Sequence, residues 1–345
     1  MRKLASIQKI ESISSIPGAD KIEVIQILGW KCVSKKGEFS EGDKCVYFEI
    51  DSLLPNKEWS SFLRKKGEES YRLRTVRLRG QISQGLALPV SVFPEIQEAQ
   101  IGMDVSELLG IEKYEPVIPA QLAGMVKGKF PCFLHKTDEE RIQSNPELLE
   151  HLKNSGAFYA SLKMDGSSMT CYVRDGEFGV CSRNLELKEE GGSSYWRMAN
   201  ELNLKEKMLN PEAQISPVFP KVFTMKNFAI QGELCGPGIQ GNPLELKNLG
   251  FFVFDVFNID EDRYLNGIDL ISFCSCFSLR GAPLFEAGSD FIMTVEGVLK
   301  MAEEAKYPNG APAEGLVFRP IKTTYIGNSR LSFKAINNNY LLNEK

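Results

Sequence analysis

Short alternations of hydrophobic and polar residues fill the first third of the chain. They occupy residues 3–10, 22–27, 31–33, 44–49, 72–78 and 85–88. An alternation with a period of two predicts β-strands that bury one face. Turn-forming stretches rich in Gly, Pro and Asp separate them, as at residues 17–20 and 41–43. Because many short strands fall within about a hundred residues, we expect a small barrel of the OB type over residues 1–115.

The pattern changes after a stretch with two prolines and a glycine, which predicts a linker over residues 116–127. Beyond it, Thr137 precedes an expected helix start, and helical periodicity appears at residues 146–153, 194–207 and 294–305. The hydrophobic segments between these helices again alternate like strands. We therefore expect an α+β domain with a mostly antiparallel sheet over residues 128–345.

Composition limits the classes of function. The chain has 345 residues, of which 43% are hydrophobic and 25% charged, as in an ordinary globular protein of two domains. Its formal net charge is −4, so a nucleic acid would have to be bound by a local basic patch. Eight cysteines without a Cys-x-x-Cys pair, together with only two histidines, argue against a zinc site. We expect reduced thiols inside the cell, in the cytoplasm or nucleus, and no membrane-spanning run.

The most basic segment of the chain covers residues 64–79 of the predicted barrel. It begins with Arg-Lys-Lys at residues 64–66 and continues with Arg72, Arg74, Arg77 and Arg79. These four arginines alternate with apolar residues, so a single strand would present a row of guanidinium groups on one face. A solvated barrel face would give the same pattern. We favour contact with phosphates because the arginines outnumber the two local acids.

A lysine and a carboxylate two residues apart, Lys163 and Asp165, are followed by a glycine and two serines. The apolar and β-branched flanks predict two strands joined by a tight turn, in which Gly166 takes a conformation that a residue with a Cβ would resist. Lys-x-Asp-Gly also occurs by chance on surface hairpins. The functional interpretation makes Lys163 a nucleophile that attacks phosphorus and forms a phosphoramidate.

Further candidate residues follow Lys163 along the chain. Arg183 comes after a predicted strand, and Glu233 lies between glycines at the end of another. Phe254 lies in a run of aromatic and β-branched residues that is also typical of a buried strand. Glu314 begins an apolar strand, where an unpaired carboxylate would be unfavourable, and Lys334 lies in the last predicted strand. Taken singly, Arg183 fits a surface loop and Phe254 a buried strand, whereas the apolar neighbours of Glu233 favour a function for its carboxylate.

The order of these motifs resembles that of the covalent nucleotidyltransferases, which comprise RNA ligases, DNA ligases and mRNA capping enzymes. The matching motifs are Lys-x-Asp-Gly at 163–166, Glu-x-x-Gly at 233–236, the aromatic strand at 251–257, Glu-Gly-Leu-Val at 314–317 and Ser-Phe-Lys at 332–334. The resemblance covers nearly all of residues 130–345. DNA ligases and capping enzymes generally carry their OB domain after the last motif. The chain is therefore most similar to the RNA ligases with an N-terminal OB domain, the Naegleria type.

The resemblance implies ATP as a substrate and Mg²⁺ or Mn²⁺ as the metal. Lys163 would carry AMP, and a hydrated ion beside the α-phosphate would be held by Asp165, Glu233 and Glu314. That ion would lower the pKa of Lys163 from its ordinary value near ~10.4, so that the neutral amine is available. The remaining nucleotide contacts would come from Arg183 on phosphate, Phe254 on adenine, Lys334 on the α-phosphate and Arg141 as a further phosphate clamp.

The last motif departs from the Lys-x-Lys of many family members. Ser332 stands at the position of the first lysine. The resemblance transfers a role to Lys334 only, and either Arg330 or Lys322 would supply the second charge.

The reaction implied by the resemblance is the joining of RNA ends through a lysyl-AMP and an RNA-adenylate. We expect a monomer that acts on nicked duplex RNA. Two alternatives stay open: a DNA ligase or capping guanylyltransferase, and a catalytically inactive RNA-binding protein. The presence of all three motif carboxylates and both motif lysines argues against the inactive binder, because a binder needs none of them.

Overall fold

The residues of the chain form two compact units. The computed structural model describes residues 2–63, 68–96, 100–115, 124–288 and 294–343. The first unit is drawn from Met1–Val117, Glu140–Pro146 and Asn338–Lys345, and the second from Ile118–Glu139 and Glu147–Asn337. Nothing in the hydrophobic pattern indicated that two later segments of the chain join the first unit. The predicted boundaries at 1–115, 116–127 and 128–345 stay predictions, since residues 116–123 lie outside the described residues.

Short strands dominate both units. They are β1 Ala5–Lys9, β2 Ser12–Ser15, β3 Ile22–Ile27, β4 Trp30–Lys35, β5 Lys44–Phe48, β6 Ser52–Pro55, β7 Ser70–Arg72, β8 Val76–Leu78, β9 Gln81–Ser83, β10 Leu86–Pro89, β11 Glu112–Lys113, β12 Val126–Lys129, β13 Glu140–Arg141, β14 Phe158–Lys163, β15 Ser167–Arg174, β16 Glu177–Cys181, β17 Leu185–Leu187, β18 Phe228–Cys235, β19 Gly250–Asn258, β20 Arg263–Tyr264, β21 Arg280–Gly281, β22 Leu284–Gly288, β23 Gly315–Pro320, β24 Tyr325–Ile326, β25 Ser329–Arg330 and β26 Phe333–Ile336.

Helices are fewer than strands in the described parts of the chain. The α-helices are Leu148–Asn154, Ser194–Glu201, Leu204–Leu209, Gly267–Cys276, Val295–Glu304 and Asn338–Asn343, and the 3-10 helices are Glu58–Leu63, Val90–Val92, Glu189–Gly191 and Pro211–Ala213. None of these helices is long and apolar enough to span a membrane.

The first unit consists of small antiparallel sheets. The strand orders are β1-β5-β10, β2-β3-β4 and β11-β6-β7, and β8 and β9 form a hairpin. Buried apolar residues of β1, β5, β6 and β10 form one cluster, and Trp59 packs against it by stacking on Phe48 with ring centroids 5.2 Å apart. The expectation of many short strands is therefore confirmed for this unit.

The single strand predicted over residues 72–78 is wrong. Strand β7 ends at Arg72 and β8 begins at Val76, so the four arginines do not form one row. Arg72 instead forms an ion pair with Asp51 at 2.7 Å, and its guanidinium lies 4.0 Å from the centroid of the Tyr114 ring. At Arg72, the ion pair with Asp51 therefore determines the position of the side chain more than the alternation of the sequence does. Residues 64–67, which begin the basic segment, lie outside the described residues.

The second unit contains two sheets built almost entirely from antiparallel pairs. One has the order β12-β17-β16-β15-β18-β19-β20, with β21 added parallel to β19, and the other includes β26-β23-β14-β22. Buried side chains of three helices, such as Trp196 and Phe273, pack against the first sheet in one core cluster. The expected α+β class with mostly antiparallel pairing is confirmed.

Three helix predictions were correct and one was wrong, and two observed α-helices, Gly267–Cys276 and Asn338–Asn343, were not predicted. The correct predictions are those near residues 146–153, 194–207 and 294–305. No helix starts after Thr137, whose hydroxyl is hydrogen-bonded to that of Ser168 at 2.8 Å and does not cap a helix. The following Glu139 is bound to Arg319 and Ser332. Helix Gly267–Cys276 was missed, since its apolar and β-branched sequence lacks the polar face of an amphipathic helix.

Candidate active site

Lys163 is the last residue of β14 and lies beside Glu314. In the antiparallel pairing of β14 with β23, Lys163 is opposite Gly315, which places the preceding Glu314 within reach of the amine. The Nζ atom of Lys163 donates to Oε2 of Glu314 at 2.6 Å. The two side chains are 26% and 17% exposed, so the ion pair is partly buried and open on one side.

The charge state of Lys163 is set by three carboxylates. Burial alone would lower the pKa of this amine, but the nearby Glu314, Glu233 and Asp165 outweigh burial and raise its pKa above the ordinary value. In the absence of nucleotide and metal, Lys163 is therefore an ammonium group. A nucleophilic amine has to lose this proton before it attacks.

Glu233 lies on β18, between β15 and β19 in the first sheet. Burial raises the pKa of its carboxyl to about 8, the charges of Glu314 and Asp165 add to this increase, and Lys163 and Arg183 oppose it. Glu314 contacts the amine of Lys163 directly, and Glu233 and Asp165 are near enough for their charges to raise its pKa. The structure thus brings Glu233 and Glu314, which are distant in sequence, close to Lys163 and Asp165.

Gly166 is required for a different reason from the one predicted. Its φ is not among the positive values of the described chain. A Cβ at this position would instead lie 2.4 Å from the carbonyl oxygen of Leu234 and 2.9 Å from Cγ of Glu233. The turn after Lys163 is therefore packed directly against the strand that carries Glu233, and space rather than backbone conformation selects glycine.

Phe254 lies at an irregularity in β19. Gln231 of β18 pairs with Asp255 and the next residue, Gly232, pairs with Val253, so Phe254 has no opposite residue. This arrangement is a β-bulge, which redirects a side chain relative to its neighbours. Phe251, Phe252, Val253 and Phe257 of the same strand are buried, whereas Phe254 is only half-buried. The aromatic strand therefore combines core residues with one partly accessible ring.

Asp255, the residue after Phe254, belongs to a buried cluster of charged side chains that was not predicted from the sequence. Asp255 binds Arg330 at 2.5 Å and Arg319 at 3.2 Å, and Glu139 binds Arg319 at 2.8 Å. Ser332 donates to the Glu139 carboxylate. Arg330, a candidate for the second charge of the last motif, is thus bound to carboxylates, and Lys322 is exposed. The sequence feature that could have indicated this cluster is the presence of charged residues within otherwise apolar strands.

Lys334 lies two strands from Lys163 in the same sheet. It is opposite Val317 in β23, and Val317 is opposite Ser161 in β14. Residues opposite each other on antiparallel strands lie on the same face of a sheet, and so do residues two apart on one strand. Lys334 therefore shares a face with Ser161, and with Lys163 two residues further along β14.

The two predicted arginines have protein partners in the structure. Arg183 forms an ion pair with Asp138 at 2.5 Å, and 52% of its side chain is exposed. Its charge also acts on Glu233, so it belongs to the electrostatic surroundings of Lys163. Arg141 is buried in the first unit, where it binds Asp51 at 2.9 Å. Its role as a phosphate clamp stays a prediction.

Tyr307 contacts the backbone at the centre of this site. Its hydroxyl donates to the carbonyl oxygen of Lys163 at 2.8 Å, and it accepts from the backbone N–H groups of Asp165 at 3.0 Å and Glu314 at 3.2 Å. The ring is 2% exposed. Tyr307 could not be identified from the sequence, because the surrounding Lys-Tyr-Pro-Asn-Gly has the composition of an ordinary turn.

The donor set fits a divalent cation that keeps its water ligands. Carboxylate oxygens suit Mg²⁺ and Mn²⁺, and Mg²⁺ commonly retains several waters. In the described parts of the chain, no three His, Cys, Asp or Glu side chains are grouped closely enough to hold a metal ion directly. Asp165, Glu233 and Glu314 therefore do not form a preassembled chelate, and their role around a hydrated ion stays a prediction.

Comparisons with known proteins give matches over nearly the whole chain. The profile of an OB-fold domain family matches residues 4–90, and the profile of the RNA ligase family matches residues 156–336. Among curated proteins, none matches the chain.

Solved structures of one enzyme resemble the chain over its full length. A mutant of Naegleria gruberi RNA ligase with AMP and manganese is 39% identical, with a TM-score of 0.86, and the match covers 99% of this chain and 98% of that chain. A second mutant, with ATP and manganese, is 38% identical with a TM-score of 0.85 over 99% and 98% of the two chains. The same enzyme with pyrophosphate is 39% identical, with a TM-score of 0.84 over 99% and 98%. These matches confirm the expected OB-type fold followed by a sheet-rich domain.

Proposed function

The chain belongs to the RNA ligase family, and we propose that it uses ATP to join the 3′-hydroxyl and 5′-phosphate ends of RNA. The observation that carries this proposal is the partly buried pair of Lys163 and Glu314, at 2.6 Å, with Asp165 and Glu233 acting on the same amine. Family membership favours an RNA ligase over the DNA ligase and capping alternatives.

The first step is the attack of Lys163 on the α-phosphorus of ATP. A bond forms between Nζ and phosphorus, the bond to the β-phosphate oxygen breaks, and pyrophosphate leaves. The solved structures of the Naegleria gruberi enzyme with ATP and with pyrophosphate support this choice of nucleotide. Before the attack the proton of Nζ must be removed, and Glu314 is the carboxylate in hydrogen-bond contact with it.

A divalent cation near the three carboxylates would supply positive charge that stabilises the charge developing on the α-phosphate and disfavours the ammonium form of Lys163. Asp165, Glu233 and Glu314 would hold it through its waters. Relatives with manganese support Mg²⁺ or Mn²⁺ as this ion.

The remaining nucleotide contacts are assigned from the positions of the side chains. The half-buried ring of Phe254 would stack on adenine, since a ring on a sheet offers a rigid face. Lys334 would contact the α-phosphate from the face of the sheet that it shares with Lys163. Arg183 would bind phosphate after release from Asp138.

In the second step, a 5′-phosphate oxygen of the RNA attacks the lysyl-AMP and releases Lys163. In the third, the 3′-hydroxyl attacks the 5′-phosphorus, forms the phosphodiester and expels AMP. We propose nicked duplex RNA as the substrate form, on the basis of the sequence resemblance. The exposed Arg74, Arg77 and Arg79 of the first unit support RNA contact there, because guanidinium groups bind phosphates.

Labelling with α-³²P-ATP tests the first step. The wild-type protein with Mg²⁺ or Mn²⁺ should retain label after denaturation, and the label should be absent with EDTA or in Lys163→Ala. Label on Lys163→Ala would remove this residue from its role. Label from GTP but not ATP would favour a capping enzyme, and RNA binding without any label would favour an inactive binder.

Sealing assays test the substrate. Nicked duplexes with a 3′-RNA or a 3′-DNA strand at the break, and single strands with the same ends, are incubated with ATP. We expect joining at the nick with a 3′-RNA end. Equal joining of single strands would contradict the nicked-duplex proposal.

A further inference from the structure

Three residues of the active site, on two segments of the chain, are hydrogen-bonded to a single phenol oxygen. Lys163 ends β14, Asp165 lies in the following turn, and Glu314 precedes β23. The Oη atom of Tyr307 is bonded to the backbone of all three, at 2.8, 3.0 and 3.2 Å respectively. The side chains of the same three residues are the proposed nucleophile and two of the proposed metal ligands.

The hydrogen-bonding capacity of Tyr307 is fully used by these contacts. A tyrosine hydroxyl has one hydrogen to donate and two lone pairs that accept. Its hydrogen goes to the Lys163 carbonyl, and its lone pairs accept from the N–H groups of Asp165 and Glu314. The ring is 2% exposed, so water does not compete for these bonds.

The position of the phenol is itself fixed by the loop that carries it. The N–H of Tyr307 donates to Ala311, and its carbonyl accepts from Gly310, both at 2.8 Å. The N–H of Ala313 donates to Ala305 at 2.9 Å and closes the loop at its base. A loop closed in this way holds the phenol oxygen at a defined point between the two strands.

We propose that Tyr307 is a positioning residue that holds Lys163, Asp165 and Glu314 in register for attack on the α-phosphate. This inference rests on the proposed function. Tyr307 touches no reacting atom. It acts by fixing the backbone from which the amine and the two carboxylates project, and near-attack geometry is sensitive to displacements of about 1 Å.

The test compares Tyr307→Phe with Tyr172→Phe. Tyr172 is a matched control, because it is buried, its hydroxyl donates a hydrogen bond to Glu186 at 2.7 Å, and its ring packs against Phe133. The rate of lysyl-AMP formation at saturating α-³²P-ATP is measured at a temperature at which circular dichroism shows every variant to be folded. Tyr307→Phe should lower this rate about 10- to 100-fold relative to Tyr172→Phe. The ATP concentration for half saturation should change less than about threefold.

A second measurement separates positioning from a damaged nucleotide pocket. ATP affinity is measured by calorimetry in Lys163→Ala and in the double variant Lys163→Ala/Tyr307→Phe, where no chemistry occurs. Equal affinities within about threefold support positioning, since the pocket is then intact without the phenol oxygen. A large loss of affinity in the double variant would overturn it, and so would failure of Tyr307→Phe to fold at any temperature.

Failure of the inference and failure of the proposed function give different results. If wild-type protein forms lysyl-AMP and Tyr307→Phe forms it at the rate of Tyr172→Phe, the positioning role is wrong and the ligase proposal stands. If wild-type protein forms no lysyl-AMP, the proposed function is wrong and the inference falls with it.

Discussion

The environment of Lys163 links its charge to its function. Without nucleotide, the amine is held as an ammonium by Glu314, Glu233 and Asp165, which raise its pKa. The same carboxylates are the proposed ligands of a hydrated cation, so the lysine and the cation would compete for their negative charge. The ion pair of Lys163 with Glu314 at 2.6 Å therefore fits a resting state in which the ammonium group of Lys163 provides the positive charge that a bound cation would otherwise supply.

At Gly166, substitution by alanine should disable the site through a steric clash. The added Cβ would lie 2.4 Å from the Leu234 carbonyl oxygen, and that backbone cannot move away easily. We expect a loss of roughly 1–3 kcal/mol in the free energy of unfolding, together with loss of lysyl-AMP formation. Gly241→Ala is the control, because no heavy atom lies within 4 Å of its Cβ position. Urea unfolding and α-³²P-ATP labelling give the two measurements, and normal labelling of Gly166→Ala would contradict the packing argument.

The buried Glu139 should make the stability of the protein depend on pH in the acidic range. Burial alone would raise the pKa of its carboxyl, but Arg319 and Arg330 lower it from 4.5 to about 2. A carboxyl whose pKa is lower in the folded state stabilises the fold above its unfolded pKa, and this contribution disappears as the pH falls toward about 2. The difference corresponds to ~3 kcal/mol.

Urea unfolding of wild type and Glu139→Gln between pH 7 and pH 3 tests this prediction. The wild type should be the more stable at pH 7, and the difference should shrink steadily below about pH 4.5. A constant difference over this range would show that the carboxylate charge of Glu139 does not contribute.

At the level of elements, the bulge in β19 gives the strand two functions. Phe251, Phe252 and Val253 fill the core, while Phe254, which has no opposite residue, stays half-buried. Asp255 then returns to the interior and binds Arg319 and Arg330. The five consecutive residues 251–255 of this strand thus supply three core side chains, a candidate base-stacking ring and one carboxylate of the buried charge cluster.

Removal of the Phe254 ring should weaken ATP binding without a large effect on folding. Stacking of a base on an aromatic ring contributes about 1–3 kcal/mol, so Phe254→Ala should raise the ATP concentration for half-maximal labelling by roughly 10- to 100-fold. Phe254→Tyr keeps the aromatic face and should stay close to wild type. If the alanine variant has an unchanged half-saturation concentration, Phe254 does not contact the base.

The strands and motifs show how much of the fold and of the candidate site could be predicted from the sequence. Alternation predicted β3 at its observed bounds, and the order of the motifs identified Lys163, Glu233 and Glu314 before any geometry was known. Alternation failed at Arg72, where an ion pair with Asp51 outweighs it. The alternation of hydrophobic and polar residues also did not indicate a role for Tyr307, whose hydroxyl is bound to backbone groups 7 and 142 residues away in sequence. Contacts of this kind depend on the fold and leave no local pattern.

At the scale of the whole molecule, the net charge of −4 means that RNA binding must depend on local groups. The β8–β9 hairpin offers such a group in the first unit. Arg77 and Arg79 are exposed there, next to the exposed apolar side chains of Val76 and Leu78. No ion pair neutralises either arginine within the described parts of the chain.

Replacement of both hairpin arginines should therefore weaken RNA binding and leave lysyl-AMP formation unchanged. Each phosphate contact releases counterions, so Arg77→Ala/Arg79→Ala should reduce the slope of log affinity against log salt concentration by about 1 to 2. The control Lys35→Ala/Lys36→Ala removes the same charge from exposed positions of the same unit and should change the slope less. Gel shifts with nicked duplex RNA at several salt concentrations measure the slope. Equal slopes for the two double variants would mean that only the overall charge matters, and a parallel loss of labelling would mean that the hairpin serves the nucleotide step.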